Sequence, residues 1–314
     1  MINSVRNTVL SVLNKNNYGY VSPSDFNLYA KQAQLEIFED YFSKYNNQIN
    51  LENSRLSGTD YAHLSKAMEE AMETFSVTDY LFPTTTLPTK FNLPSVIFNG
   101  NDYFMINKVV CYPIELLNGT NSSVSAGQLV DASATFITDG VSAGDVVVND
   151  TTGDVTNVTT VISNTVLALD SNIFTVSPTP YYIYSAATTR EAEKVSQGKI
   201  TMLNNSLLTA PSIDYPAYTQ EYSLMKVYPS TISRRGQVLA NYFRYPFDPK
   251  WTYVSLTNGE PVFDQTQPDY QDFELPLEDE VRLIIKILQY CGISIREADV
   301  YTFAKTEQAQ DDAK

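Results

Sequence analysis

Residues Tyr242–Tyr253 read YFRYPFDPKWTY and hold the only tryptophan of the chain, Trp251. Upstream, Gln237–Tyr245 has strand character, with Val238, Ala240 and Tyr242 alternating and Leu239 and Phe243 also apolar. Pro246 and Pro249 end any pairing, because proline has no N–H to donate to a ladder. Trp251–Leu256 resumes a strand and stops at Thr257-Asn258-Gly259, a tight-turn signal. A helix is expected at Leu277–Tyr290. Glu278, Asp279 and Glu280 place negative charge on its positive N-terminal end. Val281, Ile284, Ile285 and Leu288 form one apolar stripe, which Leu283 and Ile287 widen. Gly292 is expected to end this helix in the left-handed position. Ser294-x-x-Glu297 reads as a capping box for a last helix that frays towards Lys314.

The N-terminal third has helical spacing. Ile2, Val5, Val9, Val12 and Leu13 fall on one face of a helix over Met1–Leu13. Ser22-Pro23-Ser24-Asp25 is a helix start, with Ser22 as cap and proline at the first helical position. That helix is expected to reach about Tyr45, with Phe26, Ala30, Ala33, Ile37, Phe38, Tyr41 and Phe42 apolar. Leu51–Gly58 reads as a polar connection to a second helix ending at Phe75. Pro83, Pro88 and Pro94 punctuate an extended stretch, and strands follow, first at Tyr103–Pro113.

From Gln128 to Tyr184 the composition changes, with lysine and arginine absent and valine, threonine, aspartate and glycine dominant. Turns at Thr151–Asp154 and Ser163-Asn164 separate strands at Val155–Ile162 and Thr165–Leu169. Short strands at that spacing make a small barrel or sandwich. Asp139, Asp145, Asp150, Asp154 and Asp170 do not follow the EF-hand ligand pattern, and aspartate beside glycine is ordinary turn chemistry. Part of Ala187–Ser206 is helical, and Tyr222–Tyr228 is expected to pair antiparallel with Gln237–Tyr245. The fold expected is α+β: N- and C-terminal helices forming a helical layer, a central antiparallel β-domain, and a small inserted β-barrel or sandwich. The divisions are 1–94, 95–127 with 185–276, 128–184 as the insertion, and 277–314 packing on the N-terminal helices.

Composition narrows the function. The net charge of −15 speaks against a nucleic-acid binder, which needs a basic patch. No run of about 18 apolar residues is present, so no membrane span is expected. The N-terminus lacks a signal-peptide core, and the chain is expected to be made in a cytoplasm. Cys111, Cys291 and the single histidine, His63, have no metal-site spacing. There is no G-x-S-x-G, no phosphate-binding glycine loop, no G-x-G-x-x-G and no H-E-x-x-H. No catalytic residue, metal ligand or cofactor site is expected. A carboxylate pair within Asp269, Asp272, Glu274, Glu278, Asp279 and Glu280 is the one place for acid–base chemistry, against the simpler reading of a solvated loop and helix start.

Twenty-two tyrosines, and arginines set among them, fit a contact surface better. Arg234, Arg235, Tyr242, Arg244, Tyr245, Trp251 and Tyr253 are the candidate oligomer or partner interface, being residue types that dominate interface energetics. The alternative is that the arginine stems cover strand aromatics within one subunit.

Three segments carry a resemblance: VLNKNNYGYVSPSDFNLYAKQAQLEIFEDYF near the N-terminus, VYPSTISRRGQVLANYFRYPFDPKWTY, and FELPLEDEVRLIIKILQYCGISIREADV. Together they resemble virion structural proteins of short-tailed, crAss-like bacteriophages, and Thr138–Leu169 resembles a β-domain inserted in phage structural proteins. The resemblance covers about half of the chain and rests on composition rather than on chemical motifs. It implies a head-to-tail connector, or tail adaptor, in the virion neck: a ring of about a dozen copies below the portal, touching the portal and adjacent tail proteins. DNA would pass through it without sequence-specific binding. Competing expectations are another tail component, such as a tube or decoration protein, and a glycan-binding or glycan-cleaving tail protein.

Overall fold

The computed structural model describes residues 1–14, 21–55, 69–84, 86–87, 89–255, 259, 261–295 and 305–306. The fold is α+β with mostly antiparallel sheets. It divides into two units, one formed by Met1–Phe75 with Tyr245–Lys314 and the other by Ser76–Arg244. His63, the Thr257-Asn258 part of the expected turn, Glu297 of the capping box and the Gln308–Lys314 tail lie outside the described residues.

In the first unit the helix Ile2–Asn14 buries Ile2, Val5, Val9 and Leu13, the i, i+3, i+4 stripe of an amphipathic helix. Val12 stands off that stripe and is exposed. The long helix Pro23–Arg55 starts at Ser22, whose Oγ accepts the Asp25 N–H at 3.2 Å. It buries Phe26, Ala30, Ala33, Ile37, Phe38 and Tyr41. The helix continues well past Tyr45 and takes in Leu51–Arg55, expected to be a connection: Asn is a weak helix former but does not break a helix, and Gln, Leu, Glu and Arg favour one.

The C-terminal helix Glu280–Ile295 packs on both of these helices. Leu283, Ile287, Leu288 and Cys291 are its buried side chains, while Val281 is exposed, so the true stripe is rotated from the expected one. Gly292 is buried inside this helix rather than ending it, since a residue without Cβ serves close packing as readily as a left-handed end. A polar ladder runs beside the apolar seam. Lys286 Nζ meets Glu36 at 2.8 Å, and Arg282 bridges Asp279, at 3.0 Å, and Asp40. Tyr41 donates to Asp279 and Tyr290 to Glu36. Burial, reinforced by these carboxylates, pushes both phenols above their ordinary pKa, so they remain donors.

The Tyr245–Pro276 stretch, expected in the β-domain, groups with this helical unit. Among the described residues there, the short pair Tyr253–Ser255 with Pro261–Phe263 forms on either side of Gly259, at φ +79, beside an isolated antiparallel bridge between Lys250 and Gln271. Conversely, Ser76–Tyr80, Phe82–Pro83 and Lys90–Asn92, expected within the helical part, are strands of the β unit.

The β unit has a four-stranded sheet in the order Ser76–Tyr80, Val238–Arg244, Tyr103–Cys111, Arg190–Glu191. A five-stranded sheet runs Glu193–Lys194, Ala217–Glu221, Leu224–Tyr228, Lys90–Asn92, Phe82–Pro83. Phe91, Val109, Cys111, Met225, Val227, Val238 and Tyr242 share one buried cluster drawn from both sheets. The expected pairing of Tyr222–Tyr228 with Gln237–Tyr245 does not form. Leu224–Tyr228 pairs with Ala217–Glu221 and Lys90–Asn92, and Val238–Arg244 pairs with Ser76–Tyr80 and Tyr103–Cys111. The connection over 229–237 is long enough to carry the chain from one sheet to the other, which a tight hairpin is not.

The inserted part is a seven-stranded antiparallel sheet. Its order is Glu115–Thr120, Pro180–Tyr184, Val146–Asn149, Val155–Ser163, Val166–Leu169, Gln128–Val130, Ser123–Ser125. It begins at Glu115, earlier than the expected Gln128, because the chain before the composition change already pairs. The two outermost strands are consecutive in sequence, so the order returns on itself at Asn121-Ser122. Asn121 is buried there, accepting from Thr179 N–H at 2.6 Å and donating to the Val176 carbonyl at 3.0 Å.

Two glycines test this packing. A Cβ on Gly236, at φ +79, would lie 2.3 Å from Val148 Cγ2. Gly236→Ala should therefore cost about 2–4 kcal/mol in chemical denaturation. Gly198, in the exposed helix Gln197–Asn204, has open space around its Cα, and Gly198→Ala should gain up to about 0.5–1 kcal/mol.

Asp131 supplies a pH signature. It is buried and accepts from Tyr181 Oη at 2.8 Å and from Ser133 N–H and Oγ at 2.9 and 2.6 Å. Burial alone would raise its pKa, but the bonds from Ser133, Tyr181 and the Thr120 N–H outweigh it and hold the carboxyl below its ordinary value. The folded pKa is thus below the unfolded one, about 4, so this stabilisation is present above that pH and fades as pH falls through the folded value. The stability gap between the wild type and Asp131→Asn should be about 1–3 kcal/mol at neutral pH and narrow in acid.

Candidate functional site

The sequence-predicted interface residues divide between the two units, and two of them, Trp251 and Tyr242, are buried. In the helical unit Trp251 is buried beneath the N-terminal helix. Its indole N–H donates to Asn3 Oδ1 at 3.1 Å, and its backbone N–H donates to Asn27 Oδ1 at 2.8 Å. The Arg6 guanidinium lies 3.8 Å from its ring centroid, and Tyr253 and Phe263 stack near it at 5.6 and 5.9 Å. Trp251 is therefore a plug of this unit with no face left for a partner. Tyr253 and Tyr245 remain exposed, the latter 6.0 Å from the Phe38 ring.

In the β unit Tyr242 is fully buried in the shared core, so it too offers nothing to a partner. Arg234 packs over the Tyr182 ring at 4.4 Å and pairs with Glu115 at 2.8 Å. Arg235 lies 3.4 Å over the Phe82 ring, and its side chain fills the space where a Cβ on Gly153 would sit. Both arginines thus fasten the seven-stranded part to the rest of the β unit. This is the within-subunit covering of aromatic rings by guanidinium groups. Arg244 is half-buried in its strand, opposite Tyr103.

Four members of the acidic cluster make structural bonds, while Glu278 and Glu280 lie in the first turns that open the C-terminal helix. Asp272 caps the start of the N-terminal helix through the Met1 amine and Ile2 N–H, at 2.9 and 2.7 Å. Glu274 accepts the Phe247 N–H at 2.8 Å, Asp269 pairs with Lys250, and Asp279 sits in the interhelical ladder. Among the described residues no group of His, Cys, Asp and Glu is placed to hold a metal ion. Burial raises the thiols of Cys111 and Cys291 to about 12, so both stay protonated.

The surface that sequence reasoning missed lies on the segment 196–222 of the β unit. Ser196 Oγ caps the helix Gln197–Asn204 through Lys199 N–H at 3.4 Å, and Ile200 is its buried residue. Met202 points outward at 74% exposure, and in the following turn Leu207 and Leu208 are as exposed as in an extended chain, at 101% and 97%. Tyr215 is exposed too. The loop 205–216 is held from within, as Thr209 Oγ1 donates to the Leu203 carbonyl at 2.9 Å and Ser212 N–H to the Tyr215 carbonyl at 3.2 Å.

Beside this loop, strands Ala217–Glu221 and Leu224–Tyr228 are joined by the two residues Tyr222-Ser223. Tyr222 has φ +51 and is 98% exposed. Such a conformation costs a bulky residue about 1–3 kcal/mol, where glycine or asparagine would be relaxed. A cleft of about 440 Å³ opens next to it, lined by Lys194, Val195, Ser196, Gln197, Gln220 and Tyr222. The sequence signals were local: a Leu-Leu pair among turn-forming residues at 205–209, and a tyrosine where a two-residue hairpin wants φ above zero.

No family model matches the sequence, and no curated protein matches it.

Trp251 makes the helical unit observable, being the chain's single tryptophan. Native emission should be blue-shifted. Arg6→Met should lower the unit's stability by about 1 kcal/mol while leaving that emission maximum in place, as followed by fluorescence during urea denaturation.

Proposed function

We propose that this chain is a structural subunit of a tailed-phage virion. In this reading it is a ring-forming head-to-tail connector beneath the portal, present in about a dozen copies, with no enzymatic role. The observation that carries it is the exposure of Leu207 and Leu208 on a loop fixed by its own hydrogen bonds. Burying a leucine side chain is worth about 1.5–3 kcal/mol, so an ordered loop that leaves two of them wet fits a chain whose working state is an assembly. The three sequence segments that resemble crAss-like virion proteins support the same reading. So does the net charge of −15, which suits a wall that DNA slides past without adhering. The seven-stranded part, whose order returns on itself at Asn121, is read here as a small inserted barrel.

The test is assembly in infected cells. Leu207→Asp with Leu208→Asp should leave the purified chain folded, with unchanged circular dichroism and thermal stability, yet reduce tailed, infectious particles at least about tenfold. Normal particles carrying the double variant, or purified virions without this chain, would overturn the proposal.

A further inference from the structure

We infer that the cleft beside Tyr222 is a saccharide-binding site, with the Tyr222 ring as its stacking platform. Tyr222 holds an unfavourable backbone conformation and its ring reaches no interior partner, so the side chain returns nothing to the fold for the strain it causes. That combination belongs to a residue kept for contact with something outside the chain.

The cleft gives that contact its chemistry. Its volume of about 440 Å³ lies at the small end of ligand pockets, roughly 300–1,000 Å³, and suits one or two sugar rings. Val195 is its buried apolar element, and the other residues around Tyr222 are amide, hydroxyl and ammonium groups. These groups are held in place beforehand. Gln220 donates to Tyr103 Oη at 2.9 Å and accepts from Lys194 Nζ at 3.1 Å. Gln197 donates to Glu221 at 2.6 Å, and Glu221 is anchored by Lys90 at 2.6 Å. Gln197 thereby presents its carbonyl oxygen. Ser196 accepts the helix-cap bond and has its hydroxyl hydrogen to donate.

A flat ring beside fixed donors and acceptors matches a pyranose, which has an apolar C–H face and a rim of hydroxyls that both donate and accept. An extended peptide adding to the outer strand Glu193–Lys194 would need main-chain pairing along a strand of only two residues. The side-chain donors and acceptors beside the apolar ring and Val195 therefore favour the saccharide.

The test is saturation-transfer difference NMR on the full chain, with maltose, cellobiose, lactose and N,N′-diacetylchitobiose as separate probes at millimolar concentration. At least one should receive saturation at its ring C–H protons. Tyr222→Gly should abolish that transfer while raising the melting temperature, because glycine relaxes the turn. Gln197→Ala should weaken binding about tenfold. No transfer to any of the four disaccharides would overturn the inference, as would transfer unchanged in Tyr222→Gly. Altered self-association of Tyr222→Gly without any sugar signal would place the ring at a subunit contact and overturn it as well. The assembly defect expected of the Leu207 and Leu208 double variant does not depend on any of these outcomes.

Discussion

The β unit depends on one pairing: Ser76–Tyr80 lies antiparallel to Val238–Arg244, with Ser76 opposite Phe243 and Tyr80 opposite Leu239. These are the first and last strands of everything that separates Phe75 from Tyr245. Closing so long a loop is entropically costly, though the cost grows only slowly with length. Once closed, the unit begins and ends at neighbouring positions. The same device recurs inside it, where Glu115–Thr120 pairs with Pro180–Tyr184, the first and last strands of the seven-stranded part. The fold is thus an insertion within an insertion, each sealed by its own entry and exit strands.

The charged groups follow from that arrangement. Arg234 and Arg235 sit just before the closing strand Val238–Arg244, where they meet Glu115, Tyr182, Phe82 and the Gly153 turn. They hold the inner insertion against its host. In the helical unit the carboxylates of Asp272, Asp279, Glu36 and Asp40 serve helix starts and interhelical pairs.

Much of the architecture was legible from local signals. Ser22 and Pro23 marked a helix start, the i, i+3, i+4 stripes gave the helical faces, and turn residues separated the short strands of the insertion. What failed was non-local. No local signal says that Val238–Arg244 pairs with a strand more than a hundred residues upstream rather than with the adjacent Leu224–Tyr228. Gly292 could have been an end or a close contact, and only the neighbouring helices decide. Trp251, Tyr242 and the arginines have the chemistry of interface residues, but a core and an interface are built from the same side chains. The exposed Leu207, Leu208 and Tyr222 were passed over because composition does not report which apolar residues remain wet.

The absence of lysine and arginine from the inserted part has a further consequence. The gap extends beyond the insertion itself, from Val109 to Thr189. A protease that cuts after basic residues finds no site there, whether the chain is native or denatured. Digestion would release the whole inner insertion, with both of its sealing strands, as one uninterrupted peptide.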